Sequence, residues 1–231
     1  MKLQLLPLFC FLSAFSCIPI SEINGNRFLS PLRGQRISNV TGIITAKGPD
    51  GFWLRSTTPD RDDNTSDSIY VVGRPAAAPR RVGERIVVSS ATVTEFRSSP
   101  DFLFLTELAS PGNITVVSSG NNVSAIVIGE RGLKPPTEQY SSLDNGDVFG
   151  VPNNVSQVSV ANPVLNQKRY GLDFWASLTG ELVTVPGPRA VARPNRFGDT
   201  WVVGDWKTTG ENERGGLTMT DEGRQFALLG E

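Results

Sequence analysis

Seven aromatic and basic residues of the chain could together bind a nucleic acid. Proteins that bind single strands stack the bases on exposed aromatic rings and follow the phosphate backbone with a positively charged groove. Five of the seven lie in short β segments and two in the stretch between two such segments. They are Trp53, Arg55, Tyr70, Arg80, Arg81, Arg85 and Phe96. A competing interpretation places Tyr70 and Phe96 in the core and Trp53 over one end of the fold. Residues 37–117 carry eight basic and nine acidic residues, so we expect weak, salt-sensitive binding.

The 231 residues include no histidine. Histidine is the usual general acid or base near neutral pH and the commonest metal ligand. Its absence excludes a Ser-His-Asp triad, a Cys-His nucleophile and a histidine-based zinc site. A pair of carboxylates is enough for glycosidases, but no pattern in the sequence places two carboxylates on converging strands. We therefore predict no catalytic residue and no metal site in this chain.

The acidic loop at residues 60–67 is a second candidate for chemistry. Closely spaced carboxylates could bind Ca²⁺ through their oxygen atoms. The loop lacks the glycine and the distal glutamate of an EF-hand, and Asn64 lies in an N-glycosylation sequon. The pattern favours an ordinary surface loop.

Five short β segments position the candidate residues. They cover residues 37–46, 52–55, 68–72, 85–96 and 102–108, with turn residues between them. Within 52–55 the alternation places Phe52 and Leu54 on one face and Trp53 and Arg55 on the other. Five strands in about 80 residues predict an OB-fold-like barrel over residues 37–117. A fragment of a β-sandwich is the alternative.

The rest of the chain is predicted to be mostly β as well. Residues 18–36 form an N-terminal leader, and residues 118–168 form an extended connector rich in turn residues. Residues 169–231 form an incomplete second β unit, with strands predicted at 182–185 and 200–203. These strands are too few to close a second barrel.

The first 17 residues are typical of a secretory signal peptide. Lys2 precedes an apolar run over residues 3–15, and residues 14–16 form a small-residue cleavage site. The run is too short for a membrane span. Sequons for N-glycosylation lie at Asn39, Asn64, Asn113, Asn122 and Asn154. After cleavage at most Cys17 remains, so no internal disulfide can form. We expect a secreted, monomeric glycoprotein.

Several segments resemble the N-terminal region of secreted nucleases, fungal and bacterial, of the endonuclease/exonuclease/phosphatase family. In the barrel they are VTGIITA at 40–46, GFWL at 51–54, VGERIV at 82–87 and LTEL at 105–108. Further on they are PTEQY at 136–140, YGLDFW at 170–175, GELV at 180–183 and NRFGD at 195–199. The resemblance runs from about residue 21 to residue 219. It implies an OB-like module that precedes a metal-dependent catalytic domain.

The resemblance also implies what this chain lacks. The family's catalytic domain uses a metal-binding glutamate, an Asp/Asn pair and histidines, with Mg²⁺ or another divalent cation, to hydrolyse phosphodiesters. No motif of that domain matches this sequence, and residues 221–231 depart from the family pattern. The resemblance therefore predicts a truncated member that binds single-stranded or duplex DNA or RNA and needs no cofactor. The alternative is an exported β domain that binds cell-surface glycan or protein.

Overall fold

The structure is a computed structural model that describes residues 17–100, 102–137, 139–143, 155–208 and 210–217. Five strands form its largest unit. They are β1 (Arg36–Lys47), β2 (Gly51–Arg55), β3 (Ser68–Val72), β4 (Arg85–Phe96) and β5 (Leu105–Ala109). Four of the five match the predicted segments to within a residue. The fifth begins at Leu105 rather than at residue 102.

These strands close into the predicted OB-like barrel. β1 pairs with β2, and β2 with β3, both antiparallel. β3 pairs in parallel with β5, which pairs with β4, and β4 returns to β1. A five-stranded closed barrel of this size is the architecture expected for an OB-fold. A sixth strand, β6 (Ile114–Ser118), pairs with the first residues of β4. A short helix, α2 (Arg74–Ala77), joins β3 to β4.

The period-two alternation of the strands produces the barrel core. Phe52 and Leu54 are fully buried, whereas Trp53 and Arg55 between and beside them are only half-buried. The predicted faces of β2 are therefore confirmed. Side chains from all five strands meet inside the barrel, including Ile44, Ile69, Val88 and Leu108 among others.

The N-terminal leader belongs to this core. Its helix α1 (Ile20–Asn24) buries Ile20 and Ile23 within the same cluster. Near the end of β4, Glu95 accepts a hydrogen bond from the backbone N–H of Ser30 at 2.7 Å. The leader therefore packs against the barrel instead of being a bare extension.

Beyond the barrel the elements are short. β7 (Ile126–Val127) pairs in parallel with β8 (Val183–Thr184), and β9 (Arg189–Ala190) pairs antiparallel with β10 (Val202–Val203). β8 and β10 lie within the strands predicted at 182–185 and 200–203, but each is only two residues long. Two helices accompany them, α3 (Val155–Ala161) and α4 (Gly171–Ser177). Among the described residues, no helix has the length and apolar character needed to cross a membrane.

Candidate nucleic-acid interface

An aromatic pair lies on the outer face of the barrel, on β2 and β3. Trp53 and Tyr70 are directly opposite each other in the ladder. Their ring centroids are 4.8 Å apart, with the planes tilted by 52°, a favourable geometry for two aromatic rings. Both point outward because their neighbours in each strand point into the core. Tyr70 is thus not a core residue, contrary to the competing interpretation.

A turn at residues 179–181 packs onto this face. Gly180 has a φ of +81°, and a Cβ at this position would lie 2.7 Å from Cζ3 of the Trp53 indole. Only glycine fits there without strain. The Ser66 hydroxyl donates a hydrogen bond of 2.7 Å to the carbonyl of Thr179. The part of the chain beyond the barrel therefore covers one side of the indole.

The same turn neutralises Arg55. Its Nε lies 2.9 Å from Oε2 of Glu181, whose side chain is only 3% exposed, against 23% for Arg55. A second guanidinium nitrogen of Arg55 donates to the carbonyl of Ser124 at 3.2 Å. Burial raises the pKa of Glu181, and the positive charge of Arg55 acts in the opposite direction. Arg55 is therefore occupied within the chain.

Tyr70 has acidic neighbours. Burial raises its pKa, and the charges of Asp50 and Glu107 raise it further. Glu107 faces Tyr70 across the parallel β3–β5 ladder, and burial raises the pKa of that carboxyl too. Asp50 forms an exposed ion pair with Arg74 at 2.7 Å. The side of Tyr70 toward β5 is therefore unfavourable for a phosphate.

Two basic residues, Lys47 and Arg81, lie at the end of the barrel where β1 leads into β2. A Cβ at Gly48 would lie 3.2 Å from the Tyr70 hydroxyl, so the turn between β1 and β2 packs against Tyr70. Lys47 faces the inward-pointing Phe52 instead, and its ammonium is directed to the loop after α2. The Lys47 ammonium donates to the carbonyls of Arg80 and Ala78, at 2.7 and 3.4 Å, which leaves one of its three N–H groups for a ligand. The predicted Arg81 is exposed in the adjoining turn. Lys47 was missed from sequence, although it ends the strand that flanks Trp53.

Three other predicted residues lie around the aromatic pair in different environments. The Arg80 side chain is 16% exposed and lies 3.8 Å from a Glu84 carboxylate oxygen. Arg85 is exposed and faces Ile43, which in turn faces Arg55. Phe96 is 50% exposed, and it lies two residues beyond Thr94, which faces Glu107, the residue opposite Tyr70.

Sequence reasoning also missed a cluster beside Phe96. The guanidinium of Arg97 lies 4.5 Å from the centroid of the Phe104 ring and donates to the carbonyl of Pro100 at 2.9 Å. This loop joins β4 to β5. The alternation of the strands gives no signal for such a contact within a loop.

The acidic loop has the properties of a surface loop. A carboxylate oxygen of Asp60 accepts from the N–H of Asp62, and one of Asp62 accepts from the N–H of Asn64, each at 2.9 Å. Across the described part of the chain, no group of three or more histidine, cysteine, aspartate or glutamate side chains could hold a metal ion. The Asp60 and Asp62 carboxylates instead accept hydrogen bonds from backbone N–H groups of the same loop.

The sequons differ in accessibility. Asn113 and Asn122 are exposed. Asn39 is half-buried in β1 with a φ of 58°. The Asn64 amide accepts from the N–H of Gln167 at 3.2 Å and donates to Asp62. Asn154 lies outside the described residues.

A protein-family model described as a domain of unknown function (DUF8508) matches residues 127–227. The matched range begins in β7, beyond the barrel, and includes the turn that covers Trp53. No curated protein and no solved structure matches the chain.

Proposed function

We propose that this chain is the substrate-holding module of a secreted nuclease of the endonuclease/exonuclease/phosphatase type, and that its barrel binds single-stranded nucleic acid weakly. The observation that carries the proposal is the outward-facing Trp53–Tyr70 pair on β2 and β3 of an OB-like barrel. This is the face that OB-folds use for oligonucleotides. Phosphodiester hydrolysis would belong to a catalytic domain outside this chain.

The geometry favours one side of the pair for the phosphate backbone. One base would stack on the open face of Tyr70, with its phosphate directed toward Lys47 and Arg81, away from Glu107. Each stacked base contributes about 1–3 kcal/mol. Because Arg55 is paired with Glu181, we assign two cations to the backbone, Lys47 and Arg81. Two phosphate contacts to a single strand give a slope of roughly −1.4 for log K against log salt.

Fluorescence anisotropy with a labelled oligothymidylate tests this proposal. Tyr70→Ala should raise Kd about five- to a hundredfold, whereas Tyr70→Phe keeps the ring and should bind like the wild type. Arg81→Gln should make the salt slope shallower by about 0.7. Equal affinities for wild type and Tyr70→Ala, with circular dichroism showing both folded, would refute the site.

We also propose export and N-glycosylation at Asn113 and Asn122, which are the exposed sequons among the described residues. Expression in a eukaryotic host, followed by glycosidase treatment, tests this. A mobility shift that is lost in the Asn113→Gln/Asn122→Gln double variant supports it, and a shift that survives in that variant contradicts it.

A second candidate function is favoured by the acidic neighbours of Tyr70. Sugar hydroxyls donate hydrogen bonds to carboxylates, and Asp50 and Glu107 are the charges that raise the Tyr70 pKa. OB-folds also bind oligosaccharides. Calorimetry with a neutral oligosaccharide separates the two candidates. Binding that is insensitive to salt and lost in Glu107→Gln supports the glycan. Binding only to the oligonucleotide supports the first proposal.

A further inference from the structure

The segment beyond the barrel carries a hairpin whose tip is held by several hydrogen bonds. β9 and β10 form its base, and the N–H of Val191 donates to the carbonyl of Trp201 at 3.0 Å. At the tip, the N–H of Asn195 donates to the carbonyl of Asp199 at 3.0 Å. These residues belong to the NRFGD segment at 195–199.

One asparagine side chain holds the tip in shape. The Asn195 side-chain oxygen accepts from the N–H groups of Phe197 and Asp199, at 2.9 and 3.0 Å. Its amide nitrogen donates to an Asp199 carboxylate oxygen at 2.7 Å. Gly198 has a φ of +89°, which a side chain would strain. The tip is therefore preorganised, which lowers the entropic cost of binding a ligand.

The hairpin tip exposes an aromatic ring on which an arginine is stacked. Phe197 is 74% exposed, and the Arg196 guanidinium lies 4.7 Å from its ring centroid. The hydrogen bond from the Phe197 N–H to Asn195 fixes the backbone from which this ring extends into solvent. The face of the Phe197 ring opposite Arg196 is open.

The charges around the Phe197 ring indicate which class of ligand the tip could bind. Residues 182–199 include three arginines and one acidic residue, Asp199, whose carboxylate accepts a hydrogen bond from the Asn195 amide. Arg189 forms an ion pair with Glu211 at 2.5 Å. Among the described residues, neither Arg193 nor Arg196 has an ion-pair partner. The single ring is too small an apolar surface for insertion into a lipid bilayer, which takes a row of apolar residues.

We infer that the hairpin tip is a second nucleic-acid contact, in which Phe197 stacks on one base while Arg196 and Arg193 bind the adjoining phosphates. The inference rests on the proposed function for its ligand class, because it takes single-stranded nucleic acid as the ligand. It adds a contact outside the barrel. A strand that reaches both places would be held at two points.

Mapped photocrosslinking tests the inference on the full chain. The probe is an oligothymidylate of about 15 nucleotides, long enough for an OB-type site, and mass spectrometry locates the crosslinked peptides. We expect a crosslink within residues 194–199. Phe197→Ala should abolish it and raise Kd about five- to a hundredfold. Phe197→Tyr keeps the ring and should retain both, and Arg196→Gln should weaken binding and flatten the salt slope.

The outcomes separate this inference from the proposed function. Crosslinks only within β3, with Phe197→Ala binding like the wild type, would overturn the inference that the hairpin tip binds nucleic acid. They would leave the proposed site on the barrel in place. Crosslinks only at the tip support the inference and overturn the barrel site. No crosslink at either place overturns both. Binding of the tip to anionic phospholipid vesicles but not to the oligonucleotide also overturns the inference.

Discussion

Replacing one buried carboxyl should change how the stability of the protein depends on pH. Asp173 lies in α4 and is completely buried. One of its oxygens accepts from the N–H of Asn166 at 2.8 Å, and the other has no hydrogen-bond partner among the described residues. Burial raises the pKa of Asp173 from 3.8 to about 6, with the Asn166 bond acting in the opposite direction. Asp173→Asn keeps the acceptor and removes the charge.

The expected effect follows from the pKa difference. In the folded state Asp173 binds its proton more tightly than in the unfolded state, so ionisation favours unfolding. Stability is lost as the pH rises from about 4 to about 6. A rise from 3.8 to about 6 corresponds to roughly 3 kcal/mol at about 1.4 kcal/mol per unit. The asparagine variant is free of this loss.

Urea unfolding of both proteins at about pH 4 and about pH 8 measures the effect. The free energy of unfolding of Asp173→Asn, relative to wild type, should increase by most of that roughly 3 kcal/mol between the two pH values. A constant offset from the substitution itself cancels in this comparison. Asp62→Asn is the matched control, because exposed Asp62 accepts a similar backbone bond. A difference that stays the same at both pH values would refute the reasoning.

Three further substitutions test the packing. Gly180→Ala should destabilise the protein by about 1–3 kcal/mol, since it strains the backbone and drives a methyl into the Trp53 ring; an unchanged thermal midpoint and tryptophan emission would contradict the contact. Glu181→Ala should lower the free energy of unfolding in urea by up to about 3 kcal/mol, because it leaves Arg55 half-buried without its partner. Glu213→Ala, at an exposed position, is the control. Equal losses in the two variants would contradict the buried ion pair. Phe52→Ala should cost about 3–5 kcal/mol at the centre of the barrel, and a loss below about 1 kcal/mol would contradict its place in the core.

The barrel was predictable because its signals are local. Alternation in β2 placed Phe52 and Leu54 inside, and turn residues separated the strands. The segment beyond the barrel was less predictable. Its strands are two residues long, too short for a period to show, and α4 is a single short helix with apolar and polar residues both buried. The contribution of Ile20 and Ile23 to the core depends on tertiary packing that no local pattern reveals.

Only the part of the candidate site that depends on local alternation was predictable from the sequence. Alternation directed Trp53 and Arg55 outward, but it gave no information on what covers them. Glu181 and Gly180 are distant in sequence, and only the fold brings them to β2. The arginines that the sequence did not distinguish therefore differ in burial and pairing. Arg55 is neutralised, Arg80 is largely buried, and Arg81 remains exposed.

Titration of the isotopically labelled protein with an oligothymidylate, followed by NMR, tests the central claim most directly. The claim is that the outer face of β2 and β3 binds a single strand. We predict salt-sensitive shift changes in the amides of β2 and β3 and at Lys47, and their loss in Tyr70→Ala but not in Tyr70→Phe. Saturating oligothymidylate that leaves these amides unmoved would contradict the claim.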